Sequence, residues 1–317
     1  MSLKTKIGNI NLESCLFNAS GVYCKTKDHL SSLNECISVG AILTKSCTLD
    51  PREGNALPIY WDDGENVSIN SSGLPNLGFE YYIYNKDISI YDKPYFVSVS
   101  GMCEKDNITI IENIINCTKI SGIELNLSCP NIEGKSQIGY DFDTMQILIS
   151  KVDILLSNMC EERRNKFNFG VKLPPYFDMA HFKIVSKIIN NSSIDTVTCV
   201  NSLGNGLIVN PIDETVVIKP KGGHGGIGGS FIKSIALSNV RQFSLLTKCD
   251  IIGCGGIKNG IDVFEHILCG AKAVQIGTQF YMEGIDVFKR IEREFLDVMK
   301  SKKYKNITSF CGKLKEL

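Results

Sequence analysis

Eight short apolar runs recur along the chain, separated by stretches of helical spacing or by long insertions, and this alternation restricts the fold more than any other feature. The runs are Leu16-Phe17-Asn18, Ala41 to Lys45, Tyr95 to Val99, Gly122 to Leu127, Phe169 to Lys172, Thr196 to Val200, Ile251 to Gly253 and Ala273 to Ile276. Unbroken apolarity marks strands buried on both faces, as in parallel sheets covered by helices. Helical periodicity covers 26–39, 106–120, 142–161, 178–189, 233–246, 261–268 and 285–299. A Gly8-Asn9 turn between Ile7 and Ile10 predicts a hairpin before the first run. The pattern favours an α/β fold, a closed (β/α)8 TIM barrel, over an open doubly wound sheet. It places residues 1–317 in one domain with an N-terminal hairpin and insertions at the C-terminal face of the barrel. Residues 46–75 show little periodicity, and a loop of that length inside a compact domain reads as a lid or wall.

Polar residues collect where the runs stop. Ser20, Lys45, Asn126, Lys172, Asn201, Gly255 and Gly277 lie at or just past strand ends, on the face where barrel enzymes place their sites. One strand-end lysine reads as a snorkelling surface charge, but two on the same face point to a site. Asn70, Asn126, Asn131 and Asn201 carry donor and acceptor pairs suited to a flat ring with alternating N–H and C=O groups, although each alone reads as a turn residue. Gly228-Gly229, Gly255-Gly256 and Gly277-Thr278 surround the last strands, where barrels bind phosphate through backbone N–H groups; a single such pair reads equally as a tight turn. Gly223, Gly225 and Gly228 match a G-x-G-x-x-G spacing, but the match lies late in the chain with no first βαβ unit around it, so a dinucleotide fold is set aside.

Asn126-Leu127-Ser128-Cys129-Pro130-Asn131 follows a buried strand that Pro130 ends. A thiol among polar groups beside a broken strand suits a reactive group better than a core filler. The other 12 of the 13 cysteines are scattered and no C-x-x-C pair occurs, which argues against a disulfide framework, a zinc site or an iron–sulfur cluster. The 34 basic and 34 acidic residues cancel, so charge makes no case for nucleic acid or membrane partners. The first residues, Met1 to Lys6, do not resemble a signal peptide, and a cytoplasmic location is expected.

These motifs together resemble the soluble class 1A dihydroorotate dehydrogenases over essentially the whole length. The residues concerned are Asn18 to Gly21, Lys45-Ser46, Arg52 to Asn55, Ser68 to Gly78, Asn126 to Asn131, Gly170 to Asp178, Asn201-Ser202 and Gly204 to Gly206. The resemblance implies an FMN-bearing barrel, a homodimer, oxidation of dihydroorotate to orotate in pyrimidine synthesis, and fumarate as acceptor, reduced to succinate. It makes Cys129 the base, with Lys45 and Lys172 completing the catalytic set. Ala19, Ser20, Gly21, Lys45, Ser46, Asn126, Lys172 and Val200 would then face the flavin ring. Gly228, Gly229, Gly255, Gly256, Gly277 and Thr278 would hold its phosphate. The pyrimidine would meet Lys45, Asn70, Ser72, Gly73, Leu74, Asn126, Asn131, Asn201 and Ser202. Residues 128 to about 138 are expected to open for substrate. Ser72 stands where many members carry methionine, and Gly222 and His224 depart from a more usual polar and aromatic pair, which bears on cavity shape.

Class 1B catalytic subunits, which also use cysteine but pass electrons through an iron–sulfur partner to NAD, are the nearest rival; residues 68–78 and 170–178 favour 1A. Class 2 enzymes use serine where Cys129 stands here and carry an N-terminal extension, which is not expected for this chain. A non-catalytic FMN-binding barrel would need a basic interaction face, of which the neutral charge gives no sign.

Overall fold

The computed structural model describes residues 1–84, 90–128 and 137–317. The chain opens with the hairpin β1 (Thr5–Ile7) and β2 (Ile10–Leu12), then β3 (Leu16–Asn18), α1 (Lys27–Glu35) and β4 (Ile42–Leu43). Next come β5 (Tyr60–Asp62), β6 (Ser68–Asn70), α2 (Phe79–Ile83), β7 (Tyr95–Val99), α3 (Glu104–Ile115) and β8 (Gly122–Asn126). The middle of the chain holds α4 (Phe142–Ser157), α5 (Glu161–Arg164), β9 (Asn168–Leu173), α6 (Met179–Asn190) and β10 (Thr196–Cys199). An insertion supplies β11 (Leu203–Leu207), β12 (Val209–Asn210), β13 (Thr215–Val216) and β14 (His224–Gly228). The chain ends with α7 (Lys233–Leu246), β15 (Asp250–Cys254), α8 (Gly260–Cys269), β16 (Ala271–Ile276), α9 (Thr278–Glu283) and α10 (Asp286–Ser301).

Eight parallel strands form the barrel in the order β3-β16-β15-β10-β9-β8-β7-β4, and every predicted apolar run supplies one of them. Between the two ends of that order, β3 and β4, a side chain takes over the role of a ladder. Asn18, fully buried, donates through Nδ2 to the carbonyl of Leu43 at 2.7 Å and accepts at Oδ1 from the Leu43 N–H at 3.0 Å. An asparagine amide offers the same donor and acceptor as a peptide, so it can pair with one residue's backbone as a neighbouring strand would. Below it the Gly40 N–H bonds the Leu16 carbonyl at 2.8 Å. A Cβ on Gly40 would lie 1.8 Å from the Ser14 carbonyl oxygen, so only glycine permits this approach.

Helices pack around the barrel through apolar stripes. In α10 the buried residues Val287, Phe288, Ile291, Phe295 and Met299 share one face, each contributing about 1.5–3 kcal/mol of burial. Several helix starts follow from their caps: Thr26, Asp141 and Asp178 accept from the third residue on, and Asn259 forms a capping box with Asp262. The predicted helices over 26–39, 106–120 and 142–161 stop early, at Glu35, Ile115 and Ser157, because short turns such as Val39 N–H to Cys36 O close the apolar stretch. Among the described residues no helix is long and apolar enough to cross a membrane.

Residues 46–75 are more ordered than their periodicity suggests. They contribute β5 and β6 to a four-stranded antiparallel sheet, β11-β14-β6-β5, whose other half comes from the later insertion. The glycine run is itself a strand here: Gly226, Ile227 and Gly228 pair with Asn70, Ile69 and Ser68. That geometry is unlike a dinucleotide-binding turn, which leads from a strand directly into a helix.

Replacing Asn18 with leucine, which is similar in size but cannot pair, should leave the Leu43 N–H and carbonyl without partners and destabilise the protein by roughly 2–4 kcal/mol. Urea unfolding reads this directly, and an unchanged midpoint would mean that the seam is held elsewhere.

Candidate active site

The C-terminal mouth of the barrel and the antiparallel sheet above it enclose a cavity of about 1150 Å³. Every described residue expected at the site lines it: Ala19, Ser20, Gly21, Lys45, Ser46, Asn70, Ser72, Gly73, Leu74, Asn126 and Lys172 from the first part of the chain. Val200, Asn201, Ser202, Gly228, Gly229, Gly255, Gly256, Gly277 and Thr278 complete the wall. Cys129 and Asn131, and with them most of the segment expected to open, lie outside the described residues.

Three regions can be distinguished by chemistry. At the seam of the barrel the Ser20 and Ser46 hydroxyls lie 3.0 Å apart, and Ser46 is 2.9 Å from Ser98, which forms a short hydroxyl chain. Lys45 stands beside it: a Cβ built on Gly21 would be in ordinary contact with Lys45 Nζ at 3.5 Å, and it is the φ of 120° that calls for glycine there. Next to these, the amides are tied to one another. Asn126 Oδ1 accepts from the Ser128 N–H at 3.0 Å and from Asn201 Nδ2 at 3.2 Å, while Asn201 Oδ1 accepts from the Ser202 N–H at 2.9 Å. Overhead, Asn70 Nδ2 reaches the Gly226 carbonyl at 3.4 Å. Such mutual bonding fixes which edge of each amide faces the cavity.

The third region is the set of glycine turns. Gly229, Gly255 and Gly256 have φ of 84°, 115° and 76°, in the left-handed region that glycine occupies without strain. A Cβ on Gly256 would meet Lys233 Cα at 2.5 Å, because the turn packs directly on the start of α7. Across the cavity Ser68 Oγ and Thr278 Oγ1 are 3.0 Å apart, and a Cβ on Gly228 would come within 3.0 and 3.1 Å of them. Buried His266 braces the turn, with Nε2 3.1 Å from the Gly255 carbonyl; burial lowers its pKa to about 4, so the ring is neutral and Nε2 is the donor.

Lys172 is not a snorkelling surface charge. Only 5% of it is exposed, and Nζ donates to Gln275 Oε1 at 2.5 Å and to Cys254 Sγ at 3.2 Å. Gln275 Nε2 in turn donates to Glu124 Oε2 at 2.5 Å, which also accepts from Thr198 Oγ1 at 2.8 Å. Burial works against the Lys172 charge, but the Cys254 and Glu124 positions outweigh it and raise its pKa, so the ammonium persists at neutral pH. Gln275 and Glu124 were not among the sequence-derived candidates. Both carry a visible signal, a polar side chain inside an otherwise apolar buried strand, in Ala273-Val274-Gln275-Ile276 and Ile123-Glu124-Leu125. Gln137 and Arg52 also reach the cavity unanticipated as site residues.

Comparison with known proteins gives a consistent set of matches. A family model described as dihydroorotate dehydrogenase matches residues 2–299. The dihydroorotate dehydrogenase A (fumarate) of Lactococcus lactis subsp. cremoris is 46% identical, covering 99% of this chain and 100% of its own. The dihydroorotate dehydrogenase (fumarate) of Saccharomyces mikatae is 45% identical, covering 100% and 99%. The crystal structure of DHODH in complex with ferulenol from Eimeria tenella superposes with a TM-score of 0.80 over 98% of this chain and 88% of that one; at 18% identity this speaks to the fold alone.

The His266 brace sets a pH dependence. Its pKa falls from 6.5 to about 4 on folding, so the unfolded chain takes up a proton that the folded protein refuses, and stability is lost as pH falls from 6.5 toward 4. Wild type should therefore lose roughly 2 kcal/mol more than His266→Gln between pH 7 and pH 5, measured by urea unfolding. Parallel curves for the two proteins would contradict a neutral buried imidazole.

Proposed function

The chain belongs to the dihydroorotate dehydrogenase family, and we propose that it oxidises (S)-dihydroorotate to orotate on bound FMN and passes the electrons to fumarate, giving succinate. One observation carries the reading: two lysines, a tied set of amides and three glycine turns meet in a single cavity at the mouth of the barrel. Its volume of about 1150 Å³ exceeds the ~300–1,000 Å³ usual for one small ligand, which suits a flavin nucleotide with a pyrimidine beside it.

The residues present fit FMN. The turns at Gly228-Gly229, Gly255-Gly256 and Gly277-Thr278 offer a close backbone approach to a phosphate. Ala19, Ser20, Gly21, Ser46 and Val200 would wall the ring, with Lys45, Asn126 and Lys172 supplying polar contacts. FMN, when bound, supplies a two-electron acceptor for the substrate's hydride. Lys172 holds a fixed positive charge where negative charge arrives, which stabilises it without reorganisation. Asn70, Asn126, Asn131, Asn201 and Ser202 orient the pyrimidine, with Ser72, Gly73 and Leu74 forming the facing wall and Lys45 reaching the carboxylate. Cys129 takes the C5 proton, since the side chains of Asn126, Ser128 and Asn131 do not titrate near neutral pH. A cytoplasmic homodimer acting in de novo pyrimidine synthesis belongs to the same reading.

The purified protein should be yellow, bleach anaerobically on addition of dihydroorotate and recover its colour with fumarate. Folded protein that ignores added FMN, or steady turnover with NAD and none with fumarate, would overturn the proposal. Cys129→Ala should keep FMN and orotate binding while flavin reduction slows by roughly 10²–10⁴-fold, the usual loss on removing a general base. Wild-type reduction should quicken with pH, because a thiol with a pKa near ~8.5 is only a few per cent ionised at neutrality. Stopped-flow reduction across pH tests both; a Cys129→Ala protein as fast as wild type would make the thiol structural.

A further inference from the structure

The interior of a barrel of this type is ordinarily packed with branched apolar side chains, yet here a charged and hydrogen-bonded group occupies it. Glu124 is 5% exposed and Gln275 1% exposed; both project from buried barrel strands, and Gln275 lines the cavity. The Gln275 amide has one orientation that satisfies its neighbours: Oε1 accepts from the Lys172 ammonium at 2.5 Å, and Nε2 donates to the Glu124 carboxylate at 2.5 Å. Thr198 Oγ1 holds the same carboxylate oxygen at 2.8 Å. Stability gives little reason for such an arrangement, because apolar residues of the same volume generally do as well or better than a buried charge pair. What it supplies is direction: Lys172 has its charge balanced from below, and its ammonium is pinned at the cavity wall.

We propose that Glu124 and Gln275 are positioning residues for the flavin site, Glu124 serving as the buried counter-charge of Lys172 and Gln275 as the link that fixes where its ammonium stands. The inference rests on reading the cavity as a flavin site. Glu124 does not line the cavity and Gln275 reaches its wall beside Lys172; in this scheme both act on the flavin through Lys172. Without the carboxylate, burial is opposed by fewer groups, so Lys172 would give up its proton at a lower pH than in wild type and a flavin beside it would then lose a nearby positive charge.

Sulfite titration of the FMN-loaded protein reads this without turnover, since the adduct it forms with an oxidised flavin is anionic and is stabilised by positive charge near the ring. Among the described residues the titratable groups facing Lys172 are Cys254 of β15, Glu124 of β8 and Cys199 of β10. Glu124→Gln should bind sulfite with near wild-type affinity at pH 6 and roughly 10- to 100-fold more weakly at pH 9, as Lys172 loses its proton. Gln275→Met, which keeps the side-chain volume and leaves Glu124 bonded to Thr198, should bind sulfite more weakly at every pH, and it carries the decision if Glu124→Gln does not fold. Variants that take up FMN and match wild type at each pH overturn the inference, whatever happens to their melting temperature. Failure of both to fold overturns it as well, since the pair would then be a folding element first. Wild type that takes up no FMN would instead sink the flavin reading itself.

Discussion

The amide of Asn18 is the interaction on which the rest of this molecule depends. Seven of the eight barrel seams are conventional parallel ladders, and at the eighth a side chain pairs with the backbone of Leu43. The strands on either side of that seam run straight into Ala19-Ser20-Gly21 and Lys45-Ser46. The 3.0 Å contact between Ser20 and Ser46 therefore bridges the joint. Closing the barrel and assembling that wall of the cavity are one event, and a barrel left open there would separate a lysine from the ring surface it is proposed to serve.

Stability and chemistry occupy different layers of the fold. Outside, α10 and its neighbours contribute ordinary apolar packing, with Phe288, Phe295 and Phe310 fully buried. Inside the top of the barrel, Lys172, Gln275, Glu124 and Thr198 replace such packing with a chain of hydrogen bonds in which every described member has a partner. A satisfied network of this kind is stiff, because each group is held by the next and a lost link leaves a buried donor or acceptor bare. The glycine turns follow the same division. His266 and the Lys233 bridges to Asp262 and Glu265 brace them from behind, which leaves their inner faces to the cavity.

Much of this was legible in the sequence because parallel strands announce themselves. Tyr95 to Val99 and Lys233 to Leu246 coincide with their expected bounds, and the strand-end residues fell where the barrel rule puts them. The antiparallel roof was not legible: Ser68-Ile69-Asn70 is three residues long, and half of its pairing comes from His224 to Gly228, a run whose glycines read as turns. Only tertiary pairing makes that run a strand. Glu124 and Gln275 were passed over for a related reason, as a lone polar residue in an apolar strand shows its purpose only when its partner on another strand is known. The lysines were seen, but not that Lys172 is buried at the cavity wall while Lys45 is only partly so.

The roof also sets an order on events during synthesis. Asn70 waits for Gly226, 156 residues later in the chain, and Ser68 waits for Thr278, 210 residues later. At a translation rate of ~5–20 residues per second the first of these delays lasts roughly 8–30 s, during which Ile69 has no roof to enter. Such long-range pairing is slow to form even in a complete chain, since loop closure comes before any contact rewards it. The glycine turns at Gly228 and Gly277 come to face one another only after β16 has been made and threaded against β3. Any anion held between them is therefore captured only after residues as far apart as Ser68 and Thr278 have both been made and brought together.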